Sequence, residues 1–400
     1  MITRIISERI AKLAHAYPVV TVTGPRQSGK TTLVRSLFPD WAYVNLESLS
    51  ARTFAAEDPI AFLGQFEGKS AILDEIQRVP ELLSQIQVRI DEKRRSGQFV
   101  LTGSQNFSLM RGVSQSLAGR TALVTLLPLS LQELGARLQA QSLDETLWKG
   151  FYPKIYGQGV SPTDELAFYV QTYLERDVRE VENVRNLRTF STFLRLAAGR
   201  TGQVLNVSSL AADVGISPKV ASDWLSLLEA SFVVRLLEPW HANLNKRLTK
   251  APKLYFTDVG LAASLIGITD PAQVATHPLR GPLFETMVVG EFLKDMLNRG
   301  AHAEISYYRD SNRNEIDLVV TEGGRTSLYE WRDVFGRLDF NDQPIGASVR
   351  ECGAKGRCLW RGRDAEAKRI RPPFLAQGLT DRQRFARLRP GRRGCLHIPL

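Results

Sequence analysis

The chain has 400 residues, of which 43% are hydrophobic and 24% charged; this is ordinary globular composition, and a length that predicts two to four domains rather than one core. No apolar run approaches the roughly 18 residues of a membrane span, and the start MITRIISERIAKLAHAYP lacks the apolar block of a signal peptide, so a cytoplasmic protein without a membrane partner is expected. Of the net charge of +10, residues 331–400 carry +9, with 14 Arg and 2 Lys against 7 acidic residues, and they also hold the three cysteines Cys352, Cys358 and Cys395, whose number and spacing exclude a zinc site or a disulfide framework.

From Pro18 the chain reads PVVTVTGPRQSGKTTLVRSLF: a β-branched run, a glycine-bearing loop, then a helical pattern. Gly24, Gly29, Lys30 and Thr31 fit G-x-x-x-x-G-K-[ST], the phosphate loop. Its glycines let successive backbone N–H groups turn inward toward phosphate oxygens, while the following helix aims its positive end at them. Gly24, Pro25, Arg26, Gln27, Ser28, Gly29, Lys30, Thr31 and Thr32 are therefore the candidate nucleotide-binding residues, with ATP and Mg²⁺ as ligands. Lys30 is expected to reach the β- and γ-phosphates and to act in catalysis, and the Thr31 hydroxyl to ligate Mg²⁺.

Downstream, KSAILDEIQRVPELLSQIQ delivers Asp74 and Glu75 to the end of a short apolar strand, which is where ligands bind in open α/β sheets. Asp74 is the second candidate for the metal, and Glu75 the candidate for polarising the attacking water. A third strand, QFVLTGSQN, ends in Ser104, Gln105 and Asn106. Its polar end is placed to sense the γ-phosphate or position water, or else simply to cap the strand. Arg120, in SLAGRTALVTLLPLSLQEL, is either an arginine finger supplied in cis or by a neighbouring subunit, or an exposed Arg in a glycine turn.

These segments, with TYLERDVREV and PKLYFTDVGLAASLIG, run in order through most of residues 1–330. Together they resemble the ATPases of the AAA superfamily that carry a C-terminal domain of unknown function. The resemblance implies an ATP-binding P-loop domain, a winged-helix-like middle and a C-terminal region similar to the restriction-endonuclease fold. It stops at about Glu330, where relatives continue in a pattern like IEIK.

Residues 164–200 have helical apolar spacing and mixed charge and read as a helical lid or linker; Tyr173, Glu175, Arg176 and Asp177 fall there as a salt-bridged face. In VSSLAADVGISPKVASDWLSLLEASFVVRLL, Ser208 caps a first helix, Gly215 turns the chain and Pro218 opens a second, a winged helix-turn-helix pattern. Lys219, Ser222, Asp223 and Ser226 face outward on that second helix, and Lys246, Arg247, Lys250 and Lys253 fall on the presumed wing. One Lys and one Asp make a poor electrostatic footprint for DNA, so a protein-packing role and DNA binding both stay open.

GPLFETMVVGEFLKDML reads as an amphipathic helix with Glu285 and Glu291, followed by EISYYRDSNRNEIDLVV as two strands around a turn. Glu285, Asp317, Glu330 and Arg332 would match the positions of a PD-(D/E)xK nuclease site, but Arg stands in place of the proton-transferring Lys, so the region reads as a structural or vestigial use of that fold ahead of an active nuclease. The arginine-rich run beyond reads either as a reading-frame shift near residue 330 or as a basic, disordered nucleic-acid arm.

The expected fold class is α/β, a P-loop NTPase parallel sheet with a helical lid, a winged helix-turn-helix and an incomplete restriction-endonuclease-like C-terminal region. Its segments are residues 1–135, 136–200, 201–272 and 273–330, with a basic tail over 331–400. The expected activity is hydrolysis of MgATP to ADP and phosphate as a nucleotide-dependent switch, with an unidentified protein partner and room for an oligomer. The alternatives are a DNA-binding or DNA-cleaving effector under ATP control, and a module that binds ATP but barely hydrolyses it.

Overall fold

In the computed structural model the described residues are 2–93, 95–104, 116–174, 187–240, 251–309, 315–331 and 347–352. The β-branched run after Pro18 forms β1 (Val19–Thr23). It joins β2 (Ala42–Asn45), β3 (Ala71–Asp74), β4 (Phe99–Thr102) and β5 (Thr121–Thr125) in a sheet of order β2-β3-β4-β1-β5. Every pairing is parallel. Strands β1, β3 and β4 are buried at every position, which is why they read as continuous apolar runs rather than as alternation.

Alternate residues of these strands supply two cores. On one face Ile10 and Ala14 of α1 (Ser7–Ala16) and Leu33 and Val34 of α2 (Lys30–Leu37) pack on Val20, Val22, Ile72 and Val100. The other face receives α3 (Leu49–Glu57), α4 (Pro59–Gly64) and α5 (Leu82–Glu92), whose Ala55, Phe62, Leu82 and Ile86 cover Val19, Leu73, Phe99 and Leu101. Each Val, Leu, Ile or Phe among them contributes about 1.5–3 kcal/mol on burial, so the sheet is clamped from both sides and its C-terminal edge is held as a platform.

After β5 the chain enters α6 (Leu131–Leu134) through a capping box: the Ser130 hydroxyl accepts from the Glu133 amide, and the Glu133 carboxylate accepts from the Ser130 amide. In the segment expected to form a lid, a helix over Pro162–Tyr169 runs into a π-turn at Val170–Leu174, and α7 (Leu187–Ala198) follows. Glu175, Arg176 and Asp177 lie outside the described residues. Next come β6 (Gln203–Val204), α8 (Val207–Val214), α9 (Pro218–Ala230), β7 (Val234–Leu237) and β8 (Lys253–Phe256), with the strands antiparallel in the order β6-β8-β7. The cap of α8 is Asn206, which accepts from the Ser209 amide, and not Ser208. Gly215 ends that helix in the left-handed region, and Ser217 with Pro218 starts the next.

The last of the described helices, α10 (Arg280–Arg299), leads to β9 (Glu304–Arg309), β10 (Glu315–Glu322), β11 (Arg325–Trp331) and β12 (Ala347–Cys352), an antiparallel sheet in chain order. Strand β12 comes from the basic tail, where no regular structure was expected. Its backbone pairs with β11 from Thr326↔Cys352 to Trp331↔Ala347. Apart from Trp331 at the end of β11, the rest of the tail lies outside the described residues. Residues from Leu127 to Leu318 share one continuous apolar core, to which all three expected segments between 136 and 330 contribute.

Candidate nucleotide site

The order of the sheet assembles the site. β1 ends in the glycine-bearing loop and β3 ends in Asp74 and Glu75, with β4 inserted between them. Gly24 leaves β1 at φ +141°, and a Cβ there would collide with the Leu126 carbonyl oxygen; the first motif position therefore excludes every other residue. Gly29 stands at φ +93° and opens α2, and Gln27 also has positive φ. Pro25, Ser28 and Lys30 are buried, Arg26 and Thr31 half-buried, and Thr32 exposed.

The Lys30 ammonium donates to the carbonyl oxygens of Pro25 and Gly24, at 2.8 and 3.0 Å. The Ser28 hydroxyl and the Gln27 side-chain oxygen are buried with no partner among the described residues. A cradle of glycine-dependent backbone, one buried ammonium and orphaned polar atoms suits a polyanion such as a nucleotide phosphate chain.

Asp74 is the hub beside it. Its carboxylate accepts from the Thr31 hydroxyl at 2.9 and 3.0 Å, from the Tyr43 hydroxyl at 2.9 Å and from the Thr102 hydroxyl. Burial and the neighbouring Asp74 charge push the Tyr43 phenol up, so it stays a donor. A carboxylate with a hydroxyl at its side matches the oxygen ligands that Mg²⁺ takes. A cavity of about 460 Å³ opens along the flank of α2 and reaches Thr31, Thr32, Trp41 and Tyr43.

Glu75 has φ +59° and ψ +44°, a conformation rare for a side-chain-bearing residue and concentrated at functional sites. Burial pushes its carboxyl above the ordinary range, against the pull of Lys30 and Arg26. The Gln77 amide donates to Glu75 Oε2 and, at 3.1 Å, to the hydroxyl of Ser104, which is buried at the end of β4. Gln105 and Asn106 lie outside the described residues.

Four contributors had not been singled out from the sequence. Gln77 and Thr102 sit inside the quoted motifs and could have been found by asking what flanks the acids. Tyr43 and Arg4 carry no local signal. Arg4, nearly fully buried, donates to the carbonyls of Ser28 at 2.8 Å and Leu127 at 2.6 Å and pairs with Glu133 at 3.0 Å. It fastens the phosphate loop to the chain leaving β5.

For Arg120 the structure bears on one reading, the finger supplied in cis. Thr121, the residue after it, pairs with Val19 at the start of β1, so Arg120 lies at the opposite edge of the sheet from the loop that follows Thr23. Its guanidinium pairs with Asp91 at 2.7 and 2.9 Å. It does not reach the site of its own chain.

Lys253 is also displaced from its expected place. It is buried rather than exposed on a wing, donating to Glu285 at 3.0 Å and pairing with Glu315 at 2.5 Å. Tyr255 donates to Glu285 at 2.5 Å as well. Glu285 is thereby engaged by a cation and a phenol, and among the described residues no group of three or more His, Cys, Asp or Glu is arranged to hold a metal. Arg332, Lys246, Arg247 and Lys250 lie outside the described residues. No described helix is long and apolar enough to cross a membrane.

The chain is similar to known proteins over most of its length. A family profile described as "AAA domain" matches residues 16–135, and two described as domains of unknown function match 140–272 and 280–332. The uncharacterized protein Rv2008c of Mycobacterium tuberculosis and its counterpart Mb2031c of Mycobacterium bovis are each 32% identical over 329 residues, 80% of this chain and 72% of theirs. Among solved structures, the Walker-type ATPase PABY2304 of Pyrococcus abyssi aligns at a TM-score of 0.45 and 16% identity, over 66% of this chain and 96% of that one. With its five-stranded parallel sheet and its phosphate loop, the chain belongs with these mycobacterial proteins to the AAA-domain family of P-loop ATPases.

Proposed function

We propose that the chain hydrolyses MgATP to ADP and phosphate at this site and that the nucleotide state biases the arrangement of its C-terminal body. The observation that carries the reading is the meeting of the Thr31 hydroxyl with the Asp74 carboxylate, with Glu75 beside them on the same strand end. Gly24 to Thr32 cradle the phosphates, and Lys30 neutralises charge on the β- and γ-phosphates. Thr31 and Asp74 are the residues that would hold Mg²⁺, which when bound offsets the negative charge on those oxygens. Glu75 accepts a proton from the water that attacks the γ-phosphorus as the bond to the ADP oxygen breaks. A carboxyl raised above its ordinary range lies nearer the pH of operation and is a better base for it.

The biasing of the C-terminal body is supported by the Arg4 contacts, which join the Ser28 carbonyl of the loop to Glu133 of α6. No observation among the described residues favours DNA binding or cleavage: Lys253 is buried in ion pairs, and Glu285 is held by Lys253 and Tyr255.

Nucleotide binding and phosphate release measured on two variants test the reading. Lys30→Ala is expected to lose nucleotide binding. Glu75→Gln is expected to bind normally and to lose about 10²–10⁴-fold in kcat. Wild-type turnover by Glu75→Gln would remove Glu75 from its role. Tight binding with no measurable turnover by the wild-type protein would favour a nucleotide-binding module instead.

A further inference from the structure

The two acids after β3 are followed by Ile76 and Gln77, and the chain there makes a single 3₁₀ turn, Ile76–Arg78. Ile76 and Val79 are buried on either side, and the turn is closed by the Arg78 amide donating to the Glu75 carbonyl and the Val79 amide to the Ile76 carbonyl, both at 3.0 Å. The backbone carrying Gln77 is thus fixed before its side chain makes any contact. Both contacts of that side chain come from its amide nitrogen, one to Glu75 Oε2 and one to Ser104 Oγ. An ionised carboxylate only accepts hydrogen bonds, so the nitrogen and not the oxygen of the amide must face Glu75. The amide oxygen has no partner among the described residues, and the two donor contacts alone orient the group.

We infer that Gln77 is a positioning residue for Glu75, holding its carboxylate in one orientation and tying it through Ser104 to the end of β4. The inference rests on the proposed role of Glu75 in hydrolysis. Glu75 emerges from a left-handed backbone position with three side-chain torsions to fix, and freezing a side chain of that kind costs up to about 2 kcal/mol. A donor anchored on a packed turn supplies the restraint in advance of substrate. Its N–H faces an accepting carboxylate oxygen, the form of the group that takes up a proton. Ser104 joins the reaction through this amide, which gives the polar end of β4 a way to influence the base without touching it.

The experiment uses the full chain, with MgATP turnover followed as phosphate release, KM and nucleotide affinity measured separately, and kcat recorded across pH. Gln77→Ala is expected to lower kcat by about 10–100-fold, the scale of a misplaced catalytic group. Nucleotide affinity should be unchanged, and the acid limb of the kcat profile should move to higher pH. Gln77→Glu, which sets a like charge against Glu75, is expected to lower kcat further with the same displacement of the limb. Ser104→Ala should shift both quantities in the same direction by less.

Glu75→Gln serves as the reference. If it is inactive while Gln77→Ala keeps wild-type kcat and pH profile, the role of Gln77 is overturned and that of Glu75 stands. If Glu75→Gln turns over at the wild-type rate, the reading of Glu75 fails first. Loss of nucleotide binding by Gln77→Ala would assign Gln77 to the architecture of the loop and overturn the proposal as well.

Discussion

At Glu75 the physical chemistry of one residue sets two opposing demands. Burial raises its carboxyl, while Lys30, Arg26 and the Gln77 amide favour the charged form. A carboxyl whose pKa is higher in the folded than in the unfolded chain adds stability below the unfolded value and loses it as pH rises through the folded value. At neutral pH the ionised group is therefore a net cost to the fold. Glu75→Gln is expected to be more stable than the wild type in denaturant unfolding near pH 8, and the gain should shrink as pH falls toward the unfolded value of about 4.3. A gain of the same size at every pH would contradict this sign. The residues that could be read from sequence alone were those whose chemistry is contiguous: the loop from Gly24 to Thr32 and the Asp74-Glu75 pair announce themselves because phosphate and metal contacts need fixed residue types at fixed spacing. Tyr43 reaches Asp74 across a strand pairing, and Arg4 reaches Ser28 from before α1. Nothing in the neighbouring sequence marks either.

Elements show where periodicity informs and where it does not. The helix over Arg280–Arg299 was recognisable from its spacing, but where Glu285 and Glu291 point on it was not. Six residues at about 100° each place them some 120° apart around the axis. Glu285 turns to Lys253 and Tyr255 of β8, whereas Glu291, fully buried, accepts from Lys294 and from the Leu131 amide, each at 2.8 Å. Lys294 also donates to the Leu129 carbonyl at 2.8 Å and lies over the Phe151 ring, 3.8 Å from its centre. This pair bolts the helix to the segment leaving the parallel sheet. Removing one member leaves the other as an uncompensated buried charge, so Glu291→Gln and Lys294→Met are each expected to cost about 3–5 kcal/mol in denaturant unfolding. The double variant, in which the introduced side-chain amide oxygen still accepts from the Leu131 N–H, should recover most of that loss. Costs that simply add would show that the two side chains act independently. Arg120 teaches the same lesson for strands: its turn was legible, but which edge of the sheet the turn occupies follows only from the pairing of β1 with β5.

Over the whole molecule, apolar patterning shows which side chains are buried but not which of them share a core. Two cores flank the parallel sheet, and one further core runs from Leu127 to Leu318. A chain of polar contacts runs from the phosphate loop to the third core. Arg4 donates to Ser28 in the phosphate loop, to Leu127 and to Glu133; Glu133 closes the capping box of α6; and the Leu131 amide at the start of that helix donates to Glu291 of α10. Arg9 of α1 adds a direct contact to the other end of α10, donating to the Leu297 carbonyl at 2.7 Å. A network of this kind transmits a signal only if it has two arrangements that the nucleotide distinguishes, and hydrogen exchange can see them. In the wild-type protein MgATP is expected to slow amide exchange in the loop over residues 24–32 and also in residues 280–299. Arg4→Met leaves the Ser28 and Leu127 carbonyls without their charged donor, at a cost of about 1–3 kcal/mol for each buried group left unsatisfied. That variant should keep slowing at the loop, because Lys30 and Thr31 are intact, and lose it over residues 280–299. If MgATP leaves exchange over 280–299 unchanged in the wild type, nucleotide is not felt by the C-terminal body and the switch reading fails. If the response survives in Arg4→Met, the signal travels by another route, for which the Arg9 contact is the next to remove.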